Sequence, residues 1–143
     1  MRTFLMIKPD GVRRGLVGEI ISRFERYGFR ISAMKMLNLT REKAEQLYSV
    51  HKEKPFFRDL IEYVTSGPIV AIALEHEAMD GETMIKLVRK IVGKTNPLEA
   101  EMGSIRGDYA YDISQNLVHA SDSIDSARRE LNVFFSDEDF TNY

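Results

Sequence analysis

Apolar residues recur along this chain with two periods, and the switches between them mark the elements. Phe4-Leu5-Met6-Ile7 is a short apolar run that stops at Lys8-Pro9-Asp10-Gly11, which predicts a buried strand closed by a turn. Leu16, Val17, Ile20, Ile21, Phe24 and Tyr27 then recur at helical spacing, and Gly28 is placed to stop that helix. Phe29, Ile31 and Ala33 alternate with polar residues, so a second strand follows, running towards Leu37. Leu39-Thr40 has the form of a hydrophobic staple and N-cap, with Ala44, Leu47 and Tyr48 on the helix behind it. The pattern breaks from His51 to Lys54. Pro55 can then open a further helix with Phe57, Leu60, Ile61 and Val64 on one face.

Ser66-Gly67-Pro68 marks a turn, and Ile69 to Leu74 is a near-continuous apolar run, the mark of a central strand covered on both faces. Met84, Leu87, Val88 and Ile91 predict another helix, closed by Gly93. From Lys94 to about Ser114 neither period holds, and loops that long are uncommon in compact domains unless they serve a function. Leu117 and Val118 lead a fourth strand into His119. The small residues Ser121 to Ser123 begin a last helix, which carries Ile124, Ala127, Leu131 and Phe134 inward. The acidic tail from Ser136 to Tyr143 is expected to be loose. Reduced to its core, this order is βαββαβ. It predicts a ferredoxin-like α+β domain, a four-stranded antiparallel sheet with helices packed around it and set against one face.

Composition narrows the chemistry. The chain has 143 residues, one domain spanning 1–143, with 43% hydrophobic and 29% charged residues as in ordinary globular proteins. A net charge of -2 supplies no basic field for nucleic acid. The absence of cysteine excludes disulfides, thiolate metal sites and thiol catalysis. No secretory pattern opens the chain and no apolar run reaches membrane-spanning length, so a soluble cytoplasmic protein without a membrane partner is expected. With only three histidines a zinc site is not expected, and His51 and His76, set among charged residues, read as solvated.

His119 is different. It stands between a strand end and a helix start, where unpaired N–H groups attract anions, and a neutral imidazole is a nucleophile near pH 7. Neither standard phosphate loop accompanies it. Gly93-Lys94-Thr95 lacks the earlier glycine of a P-loop, since Val88 holds that position, and Gly11, Gly15 and Gly18 do not form G-x-G-x-x-G. Cationic side chains must therefore meet any phosphate. Lys8, Arg89 and Arg106 are available at element ends or in the long loop, with the Thr95 hydroxyl beside them.

These residues fall within blocks that resemble the nucleoside diphosphate kinase family over nearly the whole chain. Thr3 to Gly18 resembles the family's opening. Lys54-Pro55-Phe56-Phe57, Ser66-Gly67-Pro68, Gly93 to Pro97 and Gly103 to Asp108 resemble internal blocks in the right order, and Asn116 to Ser123 resembles the active-site signature. The resemblance implies reversible transfer of a γ-phosphoryl group from a nucleoside triphosphate, typically ATP, to a nucleoside diphosphate. The carrier is a phosphohistidine on His119, and the kinetics are ping-pong. It implies that Glu130 orients the ring through its other nitrogen and that the Ser121 hydroxyl supports the transferring group. By the same resemblance Lys8, Tyr48, Arg89, Thr95 and Arg106 contact phosphates, Asn116 and Lys8 contact the ribose, and Phe56 and Ile113 sandwich the base. Asp122 resembles an aspartate near the magnesium ion, which substrate phosphates and water would chiefly hold. A homo-oligomer is implied, a hexamer rather than a tetramer.

The chain departs from the family pattern in places. Ala120 stands where glycine is common after the histidine, and Lys94 where an acidic residue is common. The segment Glu75 to Met84 reads as a surface insertion, and the C-terminus is short. A base-stacking nucleic-acid module is the rival for this fold, but Ile69 to Leu74 carries no aromatic residue.

Overall fold

The computed structural model describes residues 1–143. Strand β1 (Arg2–Ile7) leads into a short helix α1 (Pro9–Arg13), then α2 (Val17–Glu25), β2 (Arg30–Asn38), α3 (Arg41–Leu47) and α4 (Phe57–Val64). β3 (Pro68–Glu75), α5 (Gly81–Val92), α6 (Ile105–Tyr109), β4 (Val118–Ala120) and α7 (Ile124–Phe134) complete the chain. The four strands lie in the order β2-β3-β1-β4, and every adjacent pair is antiparallel. That is the ferredoxin-like arrangement expected from the βαββαβ order.

The helices cover both faces of the sheet, as the apolar run of β3 implied, rather than the single face that the element order suggested. The two-residue period of β1 and β3 explains why. Leu5, Ile7, Val70, Ile72 and Leu74 face α2 and α5 in a cluster of 16 buried residues. Phe4, Met6, Ile69, Ala71 and Ala73 face α3, α4 and α7 in a second cluster of 15. Near-equal layers account for the unbroken apolar run of β3, which has no solvent face to alternate towards. Each fully buried large side chain in these layers contributes about 1.5–3 kcal/mol.

Local signals set the helix starts. Thr40, Asp80, Ser104 and Ser123 each accept a backbone N–H with their side chains at the head of α3, α5, α6 and α7. Four expectations are corrected. Pro9 to Gly11 is not a turn but the start of α1, with proline at the first helical position, where its missing N–H costs nothing. Pro55 lies before α4 rather than opening it. The segment Lys94 to Ser114 contains a 3-10 turn at Pro97–Glu99 and the helix α6. Of the segment Glu75 to Met84, expected to be a surface insertion, only His76 to Asp80 is a connection: Glu75 ends β3, and Met84 is buried in α5.

The tail is tied down rather than loose. Thr141 N donates to Ser32 O at 2.8 Å and Ile31 N to Tyr143 Oη at 2.7 Å, along the outer strand β2. Lys35 and Asp139 pair at 3.1 Å, and the Arg2 guanidinium lies 4.0 Å from the centre of the Phe140 ring. His76 is likewise engaged rather than solvated, with Nε2 2.8 Å from Tyr27 O and Nδ1 accepting Ala78 N at 3.1 Å. No helix is long and apolar enough to cross a membrane.

Candidate active site

β4 is only three residues long, yet it sets the orientation of His119. Its neighbours Val118 and Ala120 belong to the α2/α5 layer. Strand alternation therefore turns His119, opposite Met6, towards α7 and α3. There its ring packs edge-on to Tyr48, with centroids 5.3 Å apart, and lies 5.9 Å from Phe4. The imidazole forms part of the wall of a cleft of about 640 Å³.

Nε2 of His119 lies 2.8 Å from Glu130 Oε1. An ionised carboxylate only accepts, so Nε2 carries the proton and Nδ1 keeps its lone pair. Nδ1 has no hydrogen-bond partner in the chain. Glu130 is 4% exposed and receives a second bond from Ser121 Oγ at 2.6 Å, while Arg129 Nη2 lies 3.6 Å from its other oxygen. Ser121 does not line the cleft. Its hydroxyl donates to Glu130, the same carboxylate that engages the His119 ring.

The remaining expected residues all line the same cleft: Lys8, Tyr48, Phe56, Arg89, Thr95, Arg106, Ile113, Asn116 and Asp122. Lys8 Nζ donates to Asn116 Oδ1 at 2.9 Å, and Asn116 Nδ2 donates to Thr95 O at 3.1 Å, so these three form one connected wall. Burial and the neighbouring Arg106 pull the Lys8 pKa down to about 8, against the pull of Asp10. Burial raises the Tyr48 phenol well above its ordinary range, with the Glu130 charge adding to it. The Tyr48 hydroxyl is buried without a hydrogen-bond partner, which leaves a polar group in the cleft wall available to a ligand.

Arg106 is more than a loop cation. Its guanidinium donates to Asn116 O at 3.1 Å, Gly93 O at 3.0 Å and Val118 O at 2.7 Å. It thereby pins the end of α5 and both sides of Leu117 together. Burial, reinforced by Arg89, lowers its pKa to about 10, so it stays charged through the physiological range. Gly93 makes this approach possible. It has φ +92°, and a Cβ there would stand 2.4 Å from Ser104 Oγ.

Asp10 and Tyr63 escaped sequence reasoning. Leu117 is fully buried with φ +77°, a conformation that costs a leucine about 1–2 kcal/mol. Its N–H donates to Asp10 Oδ2 at 3.1 Å and its carbonyl accepts Lys8 N at 2.8 Å. Tyr63 closes the clamp, donating its hydroxyl to Asp10 Oδ1 while accepting Asp10 N at 2.9 Å. Gly11 keeps the clamp tight, because a Cβ there would meet Ile7 Cγ2 at 2.7 Å and Leu117 O at 3.2 Å. His51, expected to be solvated, also lines the cleft and packs 5.5 Å from the Phe56 ring. Arg129 was missed as well. It donates to Leu47 O at 3.2 Å and ties α7 to the end of α3.

No cluster of three or more His, Cys, Asp or Glu side chains forms a metal cage. Asp122 is the exposed carboxylate near the ring, its pKa lowered by the Ser126 hydroxyl and by Arg89. One carboxylate suits a hydrated divalent ion carried mainly by substrate phosphates.

The nucleoside diphosphate kinase family model matches residues 1–140. Nucleoside diphosphate kinases from Staphylothermus marinus and Archaeoglobus fulgidus are 58% and 56% identical to this chain over 142 residues. Each alignment covers 99% of this chain, and 97% and 91% of the respective relative. A crystal structure of a family protein from Babesia bovis superposes with a TM-score of 0.92 at 41% identity, covering 99% of this chain and 93% of the other. The Halobacterium salinarum enzyme, solved in complex with CDP, gives 0.92 at 39% identity, covering 100% and 92%. A match of this length, on a fold that gathers the His119 segment and its cations into one cleft, means that the chain belongs to the nucleoside diphosphate kinase family.

Proposed function

We propose that this chain moves γ-phosphoryl groups between nucleotides by way of His119. It is a phosphotransferase of its family, a nucleoside diphosphate kinase. The observation that carries the proposed route is the split between the two ring nitrogens: Nε2 engaged by Glu130, Nδ1 free at a cleft lined by Lys8, Arg89 and Arg106.

The Nδ1 lone pair attacks the γ-phosphorus of a bound triphosphate. A P–N bond forms, the bond to the bridging β-phosphate oxygen breaks, and the diphosphate leaves with that electron pair. The ring keeps its Nε2 proton and becomes cationic, and the Glu130 carboxylate stabilises that charge. A second diphosphate enters the same cleft and reverses the step. A phosphoryl group on imidazole is high in energy, so neither half-reaction is a sink.

Lys8, Arg89 and Arg106 offset charge on the phosphoryl oxygens, and Thr95 and Tyr48 add hydroxyl donors. Alignment and electrostatics carry most of the barrier reduction in such transfers. Ser121 steadies Glu130. Asn116 and Lys8 meet the ribose, and Phe56 and Ile113 enclose the base. Magnesium, held by phosphates and water with Asp122 nearby, would neutralise phosphate charge.

The same reading includes cytoplasmic work on free nucleotides and a homo-oligomer, a hexamer rather than a tetramer. Exposed Met34 and Met36 on the outer strand β2 support an assembly, and sedimentation velocity tests it.

Incubation with γ-labelled ATP and magnesium should yield an acid-labile, alkali-stable phosphoprotein. His119→Ala should take up no label. Label on serine, or undiminished label on His119→Ala, would refute the route.

A further inference from the structure

We propose that Asp59 selects among nucleobases and makes guanine the base this cleft takes best. The inference rests on the nucleotide reading above and concerns the wall of the cleft that α4 supplies. Helix α4 turns one stripe of side chains to the cleft. Phe56, Asp59, Leu60 and Tyr63 all line it, at the spacing of a single helix face. Asp59 therefore sits on the same wall as Phe56, one helical turn along from the ring that stacks on the base.

Its carboxylate is uncommitted. Asp59 is exposed and enters none of the ion pairs of the chain. Of the other two carboxylates lining the cleft, Glu130 is occupied by His119 and Ser121, and Asp122 belongs to the phosphate side, within the fields of Arg89 and His119. The cations Lys8, Arg89 and Arg106 come from other elements, and none pairs with Asp59. The cleft is thus polarised, with positive charge around His119 and one free negative charge beside Phe56. A nucleotide has the matching polarity, anionic at its phosphates and rich in N–H donors at its base.

A carboxylate only accepts hydrogen bonds, and its two oxygens suit two parallel donors. Guanine presents such a pair, N1–H beside the exocyclic amine. Adenine and cytosine present one amine next to a ring nitrogen whose lone pair would oppose the second oxygen. Uracil and thymine present one N–H flanked by two carbonyls. Apolar walls such as Phe56 and Ile113 cannot tell these bases apart, whereas one aimed acceptor can. The site is open to water, so the discrimination is modest, about 3- to 10-fold in favour of guanine.

Inosine diphosphate isolates the effect, because its base differs from guanine only in lacking the exocyclic amine. The experiment compares GDP with IDP on wild type and on Asp59→Ala. It reads kcat/KM for discharge of the phosphorylated enzyme, and Kd by calorimetry on the unphosphorylated protein. Wild type should prefer GDP by at least about 3-fold, and the preference should fall to about 1 in Asp59→Ala. An equal GDP-to-IDP ratio in the two proteins, or no preference in wild type, overturns the proposal. Failure of His119 to take up phosphate would count against the transfer route alone, since the Kd ratio still decides the role of Asp59.

Discussion

Raising the pH through 8 should switch off nucleotide capture by the free protein while leaving the loaded protein active. Lys8 Nζ is buried with one neutral partner, Asn116 Oδ1 at 2.9 Å, and its pKa falls from 10.5 to about 8. Desolvation is the larger cause and repulsion from Arg106 the second. The gap corresponds to about 3 kcal/mol against the charged form in the empty cleft. A phosphate at Nζ removes that penalty, so the pKa rises in the complex. kcat/KM should therefore fall about tenfold per pH unit above 8, while kcat holds to about pH 9.5. Initial rates of transfer between about pH 6 and 10 measure both. Lys8→Arg, which cannot lose its charge, should abolish the fall. Stability supplies an independent check. The folded pKa lies below the unfolded one, so between pH 8 and 9.5 the unfolded chain binds more protons. Stability should then rise with pH in that window, by about 1.5 kcal/mol. A kcat/KM that stays flat from about pH 7.5 to 9.5, or a fall that survives in Lys8→Arg, would refute the reasoning.

Other substitutions probe separate parts of the site. Arg106→Ala should lower stability by about 3–5 kcal/mol as well as slowing transfer, because three carbonyls lose one shared cationic donor; an unchanged urea midpoint would contradict this. Gly93→Ala should cost about 2–4 kcal/mol, since φ +92° and a 2.4 Å clash with Ser104 Oγ act together, and thermal denaturation measures it. Glu130→Gln should slow single-turnover phosphorylation of His119 by about 100-fold with little loss of melting temperature, because the amide no longer fixes the ring proton or stabilises the cationic ring.

How legible the chain was depended on how local each determinant is. The caps at Thr40 and Ser123 and the stop at Gly28 follow from a few adjacent residues, and the matching elements lie as expected. The two-faced cover of the sheet was read at one strand, from the unbroken run Ile69 to Leu74, but the βαββαβ order pointed to one face, because element order alone does not say where the extra helices pack. α1 and α6 have five residues each, too few for helical periodicity to register. The tail looked loose because its composition is acidic. Its order comes from long-range bonds to β2, which no local pattern encodes.

The site was legible as a set of residues and illegible as a device. Nothing in sequence spacing shows that Arg106 spends its donors on backbone carbonyls, or that Ser121 donates to Glu130. These bonds follow from one strained residue. Leu117 at φ +77° breaks the extended backbone just before His119. That conformation is unfavourable alone and needs neighbours that over-determine it. Asp10 and the Lys8 amide hold its N–H and carbonyl, while Arg106 holds the carbonyls of Asn116 and Val118 on either side. Lys8 and Arg106 are also the cations that face the phosphates. Folding and catalysis therefore share side chains here, and the same groups that aim His119 at the cleft supply the charge its reaction requires. A substitution in this cluster should consequently disturb stability and transfer together, whereas one at Asp59, which bonds to nothing in the chain, should alter base choice without lowering stability.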